Sequence, residues 1–346
     1  MIMIALWKLG AIYVPLNPKD VKYGKSCIQK MGITNAILLR QDLGLWSGTR
    51  EQLIELDLFH VSMPSKIPFR IYPEPIAYVI HTSGTTRNGS GGQTVAVPSQ
   101  SFLGNLAAIR DCLGSSRRTI LVSEPTFDPS LIEIFLPLLS KETGTTSSLI
   151  IPMENATRMP NVLFDSIQHY HVDLLMMTPN LFLSFSSDHQ LAFCRGDTSV
   201  KDIVLGGESF PQQILTLPRS SVTLWNIYGT TECSVWASIE KLGHTKESVS
   251  LGELLGETKW AIKNESEDLS NEGELWLGGR KRICYVNDED VAEELRPTGD
   301  IVKRDSSGRI FYLGRKGDQI KRHGYRINLK QITQAIHSVA KISHCE

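Results

Sequence analysis

The chain has 346 residues, with 36 lysines and arginines against 37 aspartates and glutamates, so its formal net charge is -1 and only 21% of positions are charged. That balance excludes a surface built to coat a polyanion, and no nucleic-acid partner is expected. A hydrophobic fraction of 41% with 27 Gly and 16 Pro is that of an ordinary globular chain rather than a disordered one, and the length suggests roughly two domains.

Residues 1–7 form an apolar stretch resembling the core of a secretion signal, but no basic residue precedes it and Lys8 interrupts it. No uncharged apolar run approaches the roughly 20 residues needed to cross a bilayer, so no membrane partner is expected. Six cysteines, at 27, 112, 194, 233, 284 and 345, never fall as Cys-x-x-Cys. Neither a zinc knuckle nor a disulfide framework is expected, and a reducing, cytoplasmic setting is the default.

Further along, residues 77–80 and 203–205 read as short buried strands followed by glycine-rich turns, whereas 131–139 and 161–170 have helical character. Strand, glycine loop and helix in repeated order predict an α/β protein with ligands at loop ends. Ser130-Leu-Ile-Glu133 predicts a capping box, with Ser130 and Glu133 each satisfying a main-chain N–H, and Pro137 is expected to kink or end that helix. From about residue 243 polar spacers precede the strand-like stretch 273–279. An α/β core over 1–242 followed by a β-rich subdomain over 243–313 is therefore expected.

Three segments carry chemistry. In His81-Thr-Ser-Gly-Thr-Thr86, the hydroxyls of Thr82, Ser83, Thr85 and Thr86 flank Gly84, so side-chain and main-chain donors can converge on phosphate oxygens. The alternative is a polar surface loop. In Asn226-Ile-Tyr-Gly-Thr-Thr-Glu232, Tyr228 can stack on a base, Gly229 lets the chain pass a nucleotide, and Glu232 can bind a hard divalent cation. In Pro297-Thr-Gly-Asp300, one carboxylate can accept both hydroxyls of a ribose, with an Asp in a hairpin turn as the alternative.

Together with residues 7–17, 273–278 and 314–328, these segments resemble, in order, the adenylate-forming superfamily of acyl-CoA synthetases, luciferases and peptide-synthetase adenylation domains. The resemblance implies the large N-terminal domain of that fold, stacked α/β subdomains plus a β-rich subdomain, lacking most of the small C-terminal domain; 314–346 would be the hinge, near Gly317, and a remnant. It implies a nucleotide site made of Thr82, Ser83, Gly84, Thr85, Thr86, Gly206, Gly207, Glu208, Asn226, Tyr228, Gly229, Thr230, Asp300 and Arg315. Thr85 and Glu232 would take the catalytic roles, and Glu232 would carry Mg²⁺.

Phe127-Asp-Pro-Ser130 is similar to the Phe-Asp-x-Ser motif of amino-acid-activating members, whose Asp pairs with the substrate ammonium. A partly buried carboxylate gains most when a cation neutralises it, while Asp-Pro as a helix entry is the other reading. Ile227, Val235 and Trp236 would face the acyl pocket, where Trp236 favours a small side chain. The implied reaction is ATP-dependent activation of a small amino acid, β-alanine first, as an acyl-adenylate for the phosphopantetheine thiol of a carrier domain or for CoA.

The sequence departs from the family pattern in three places. Thr86 is followed by Arg87-Asn-Gly-Ser-Gly-Gly-Gln93, with no loop lysine, leaving Arg87 or uncharged Gln93 to replace it. Only 14 residues follow Ile332, fewer than the roughly 50 of a small domain, so the family's late catalytic lysine is not expected. Met1 stands just before a motif that the family places well inside its first subdomain. An impaired nucleotide-binding or partner-binding product, or a carboxylate–CoA ligase without amino-acid preference, are the alternative readings. His169-x-His171 shows only two metal ligands, and Lys316, Lys321, Arg322 and Arg326 read as a solvated or phosphate-facing cluster.

Overall fold

Leu174–Met177 and Asp202–Gly206 are buried along their whole length, which a sheet covered on both faces permits. They lie in a computed structural model that describes residues 2–17, 19–31, 35–38, 52–55, 74–82, 93–114, 117–139, 147–153, 156–243, 248–282, 284–287, 294–316, 319–322 and 325–328. The chain divides into two units, Met1–Ile76 and Ala77–Glu346.

In the first unit, helices α1 (Ile2–Lys8) and α2 (Val21–Met31) precede a parallel pair, β1 (Asn35–Leu38) and β2 (Gln52–Glu55). The second unit begins around β3 (Ile76–His81) and β4 (Thr94–Pro98), followed by helix α3 (Ser99–Leu113) and strand β5 (Arg118–Ile120). Next come α4 (Pro129–Phe135), β6 (Ser148–Ile150), α5 (Pro160–His169), β7 (Leu174–Met177), α6 (Pro179–Ser184), α7 (Ser187–Arg195), β8 (Asp202–Gly206), α8 (Gln212–Leu215) and β9 (Thr223–Tyr228). The remaining strands are β10 (Ser238–Leu242), β11 (Glu253–Leu254), β12 (Lys259–Lys263), β13 (Glu272–Gly278), β14 (Tyr285–Val286), β15 (Leu295–Arg304), β16 (Ile310–Arg315), β17 (Gln319–Arg322) and β18 (Tyr325–Asn328).

A seven-stranded sheet has the order β11-β10-β9-β8-β7-β5-β6. Its strands β5 to β9 run parallel, and β10 and β11 close one side antiparallel. Leu163, Ile167, Phe182 and Phe193, each 0% exposed, fill the core that these strands share with the helices. The crossover connections place loops at the carboxyl ends of β7, β8 and β9, where α/β sheets hold ligands. A four-stranded antiparallel sheet, β12-β13-β15-β16, has its own core around Ile262, Leu275 and Val302. This is the expected α/β fold with a β-rich part. Strand β14 pairs with β4, Tyr285 opposite Ala96, so the chain leaves the four-stranded sheet between β13 and β15 to join a sheet formed far earlier in sequence.

The expected helices are present as α4 and α5, and α4 gives way after Phe135 to a 3-10 turn, Leu136–Leu139, that contains Pro137. The capping box is not formed. Pro129 occupies the first helical turn, the Ser130 N–H and hydroxyl both donate to the Phe127 carbonyl, and Glu133 turns toward the preceding loop. There its carboxylate accepts from the Val122 and Ser123 N–H groups at 2.7 and 3.1 Å and from the Ser123 hydroxyl. Those loop amides follow β5 and are satisfied by Glu133 in place of the helix's own first N–H groups.

Candidate functional site

A cavity of about 580 Å³ opens where the carboxyl ends of β7, β8 and β9 meet the start of α4, within the size range of small-molecule sites. Gly206 ends β8 and Gly207 follows it, Ile227, Gly229 and Thr230 lie at or just past the end of β9, and Asp128 precedes α4. Val235 and Trp236 complete the wall. The structure thus gathers into one cavity eight of the residues singled out by sequence, from both the proposed nucleotide and amino-acid groups. Local backbone chemistry explains the glycines. Gly207 has φ +82°, a left-handed conformation that side chains disfavour, and a Cβ on Gly229 would overlap the carbonyl of Val235.

Asp128 is 5% exposed and lies near enough to Tyr78 and Cys284 for its charge to disfavour their ionisation. Trp236 is also buried, and its Nε1–H has no hydrogen-bond partner among the described residues. A buried indole donor without a partner carries a desolvation cost. Glu133 lines the same cavity, and burial pushes its carboxyl up to about 7, against the lowering effect of its bonds from Ser123 and Val122.

A second cluster joins the β-rich sheet to β9. Tyr228 at the end of β9 donates its hydroxyl to Asp300 Oδ2 at 2.7 Å, and Arg315 Nη1 reaches Asp300 Oδ1 at 3.2 Å. Arg315 Nη2 also donates to the Thr298 carbonyl at 3.1 Å, while the Asp300 N–H donates to Thr298 Oγ1. Asp300 lies within β15 rather than in a hairpin turn. Burial, and next the Asp300 carboxylate, push the Tyr228 phenol well above its ordinary range.

Other predicted residues are used differently. Asn226 is buried and its amide donates to the Ser250 carbonyl at 2.8 Å. Glu208 accepts from the Asn180 N–H, which begins α6 at the cavity. Glu232 lies in the 3-10 turn Thr231–Cys233, next to the cavity residue Thr231. Thr82 is buried and its N–H donates to the Gln93 carbonyl at 2.8 Å. Ser83, Gly84, Thr85, Thr86 and Arg87 lie outside the described residues. Gly317 does as well.

Sequence reasoning missed Glu133 as a cavity residue, having used it as a cap, and missed Asn105 and Arg282, which hold the wall from behind. Arg282 ends the basic triplet Arg280-Lys-Arg282, whose spacing alone does not mark which member is buried. Among the described residues no group of three His, Cys, Asp or Glu side chains forms a metal cluster, and no helix is long and apolar enough to cross a membrane.

Residues 35–282 match the family described as AMP-binding enzyme. The chain is 34% identical over 294 residues to the Beta-alanine-activating enzyme of Homo sapiens, an alignment covering 78% of this chain and 26% of that protein. It is 29% identical over 369 residues to Tyrocidine synthase 3 of Brevibacillus parabrevis, covering 96% of this chain and 5% of that protein. The chain therefore spans about a quarter of the length of its β-alanine-activating relatives and far less of the peptide synthase. Its fold is similar to that of the Vibrio cholerae adenylation domain AlmE, solved in complex with glycyl-adenosine-5'-phosphate, with a TM-score of 0.75 at 18% identity over 99% of this chain and 72% of that one.

Proposed function

Because the chain belongs to the AMP-binding enzyme family, we propose that it binds ATP and activates a small amino acid, β-alanine first, as its acyl-adenylate. The observation that carries this reading is the buried carboxylate of Asp128 in the same cavity as the Gly206-Gly207 and Thr230-Thr231 main chain. A cation held at Asp128 places the substrate's far carboxylate toward those loops, and positioning of this kind supplies much of the rate in phosphoryl chemistry. In the reaction a carboxylate oxygen bonds to the α-phosphorus as the bond to pyrophosphate breaks, leaving acyl-AMP and pyrophosphate. Trp236 shortens the acyl end and favours a short substrate, which agrees with the name of the β-alanine-activating relatives.

Tyr228 would stack on the adenine, and Asp300 with Arg315 would meet the ribose. Glu232 would hold Mg²⁺, a hard ion usually bound by one or two carboxylates together with phosphate oxygens, so a single acidic residue suits it. Bound there, the ion would neutralise phosphate charge. Transfer of the acyl group to the phosphopantetheine thiol of a carrier domain, or to CoA, completes the proposed sequence.

The test is amino-acid-dependent exchange of labelled pyrophosphate into ATP. Exchange with β-alanine exceeding that with fatty or aryl acids supports the reading. ATP binding without any exchange would instead identify an inert nucleotide-binding chain, and better activation of fatty acids would identify a carboxylate–CoA ligase.

A further inference from the structure

The wall that carries Val235 and Trp236 has a backbone that the residues themselves do not favour. Ser234 and Val235 are consecutive non-glycine residues at φ +54° and +66°, and for a β-branched residue that conformation is an outlier. Such a segment persists only where its surroundings over-determine it. Asn105 of α3 grips the Trp236 main chain, its amide donating to the Trp236 carbonyl at 2.6 Å and its carbonyl oxygen accepting from the Trp236 N–H at 3.3 Å. Arg282, in the connection between β13 and β14, holds the same main chain. Its Nη2 donates to the carbonyls of Cys233, Ser234 and Trp236 at 2.8, 3.2 and 2.5 Å.

We propose that Arg282 is a positioning residue that clamps the wall 233–236 and thereby sets the shape of the cavity's acyl end. The selectivity it confers rests on the proposed function; the clamp itself does not. Arg282 is 3% exposed and is absent from the cavity lining, so its effect is transmitted through the carbonyls it holds. Charge-assisted bonds from a buried guanidinium are stronger than neutral ones, and one nitrogen shared by three carbonyls fixes the turn as a unit.

Small movements of this wall matter because the cavity is tight there. A Cβ on Gly206 would approach the Trp236 indole to 3.0 Å, so the ring sits against the main chain at the end of β8. The electrostatics point the same way. The Arg282 charge favours ionisation of Tyr78 and Cys284, two groups on which Asp128 acts in the opposite sense, although burial dominates and holds both up. Arg282 and Asp128 thus belong to one buried neighbourhood. Replacement of Arg282 by lysine keeps the charge and three donors on a shorter stem; replacement by methionine removes both.

The test uses the full chain, hydrolysis-resistant sulfamoyl-adenosine analogues carrying β-alanine or phenylalanine, and AMP. In Arg282→Met the preference for the β-alanyl over the phenylalanyl analogue should fall at least tenfold while AMP affinity stays within twofold. Main-chain hydrogen exchange at residues 233–237 should rise in that variant. Arg282→Lys should recover part of both effects, and Asn105→Ala, which removes the second grip, should shift exchange at the same residues.

A folded Arg282→Met with unchanged preference and unchanged local exchange overturns the proposal. So does a parallel loss of AMP and analogue binding with exchange spread across the whole unit, the mark of a purely structural residue. Should Arg282→Met not fold, Arg282→Lys decides on the same two readouts. If the wild-type chain binds neither analogue, the proposed function fails and selectivity with it, while exchange at 233–237 still supports or overturns the clamp.

Discussion

Asp128 and Asp300 are both buried carboxylates, 5% and 1% exposed, yet only Asp128 lines the large cavity, whereas both oxygens of Asp300 are engaged by Tyr228 and Arg315. In the same cavity wall the Trp236 indole N–H is buried with no partner among the described residues. Beside Asp300 the donors are already matched. A ligand in the cavity can approach Asp128 directly, while one arriving at Asp300 must displace Tyr228 or Arg315, and such an exchange of partners yields little net free energy. Selectivity should accordingly be concentrated at Asp128, and the Asp300 cluster should contribute more to holding β9 against the β-rich sheet.

Asp128→Asn should produce the largest effect. Losing one member of a desolvated ion pair costs about 2–5 kcal/mol, so kcat/KM for the amino acid should fall about a hundredfold, or about 2.7 kcal/mol. ATP affinity measured by calorimetry should stay within threefold. An equal drop in ATP binding would erase the distinction between the two ends.

Of comparable size is the pH response of Glu133. Its carboxyl is raised from 4.5 to about 7 by burial, and it accepts from the Ser123 hydroxyl and two main-chain N–H groups, all neutral. Because the folded form keeps a proton that the unfolded chain releases, this group's stabilising contribution is complete below pH 4.5 and is lost as pH rises through about 7. The linked change is on the order of 3 kcal/mol at most. Glu133→Gln cannot titrate, so urea midpoints at pH 5 and pH 8 should show the variant gaining on the wild type at the higher pH. A constant difference at both values would mean that Glu133 is ionised throughout.

Much of this arrangement was legible in the sequence because it rests on local patterns. The strands before the glycine turns and the Phe127-Asp-Pro-Ser130 entry to α4 are consecutive residues whose chemistry points to their role. What was not legible depends on residues distant in sequence. Glu133 matched a local capping rule, but two loop N–H groups about ten positions earlier took its carboxylate instead. Arg282 lies 46 positions from Trp236 and Asn105 lies 131, and nothing in the composition of either segment signals that they meet. The engagement of Asp300 by Tyr228, 72 residues away, was likewise invisible even though both residues had been singled out separately.

That engagement gives the smallest and sharpest prediction. Tyr228→Phe keeps the ring for stacking and removes the hydroxyl that donates to Asp300. A hydrogen bond to a charged acceptor contributes about 1.5–3 kcal/mol, but Asp300 keeps Arg315 and its Thr298-anchored main chain, so the loss should lie near the lower bound, about 1.5 kcal/mol in the urea midpoint analysis. Nucleotide affinity should move the other way or not at all, because one Asp300 oxygen is released to accept from a ribose hydroxyl without an exchange. A variant as stable as the wild type that binds ATP ten times more weakly would show that the Tyr228 hydroxyl serves the ligand directly. The contrast between Asp128, open to the cavity, and Asp300, which must trade its partners, would then no longer hold.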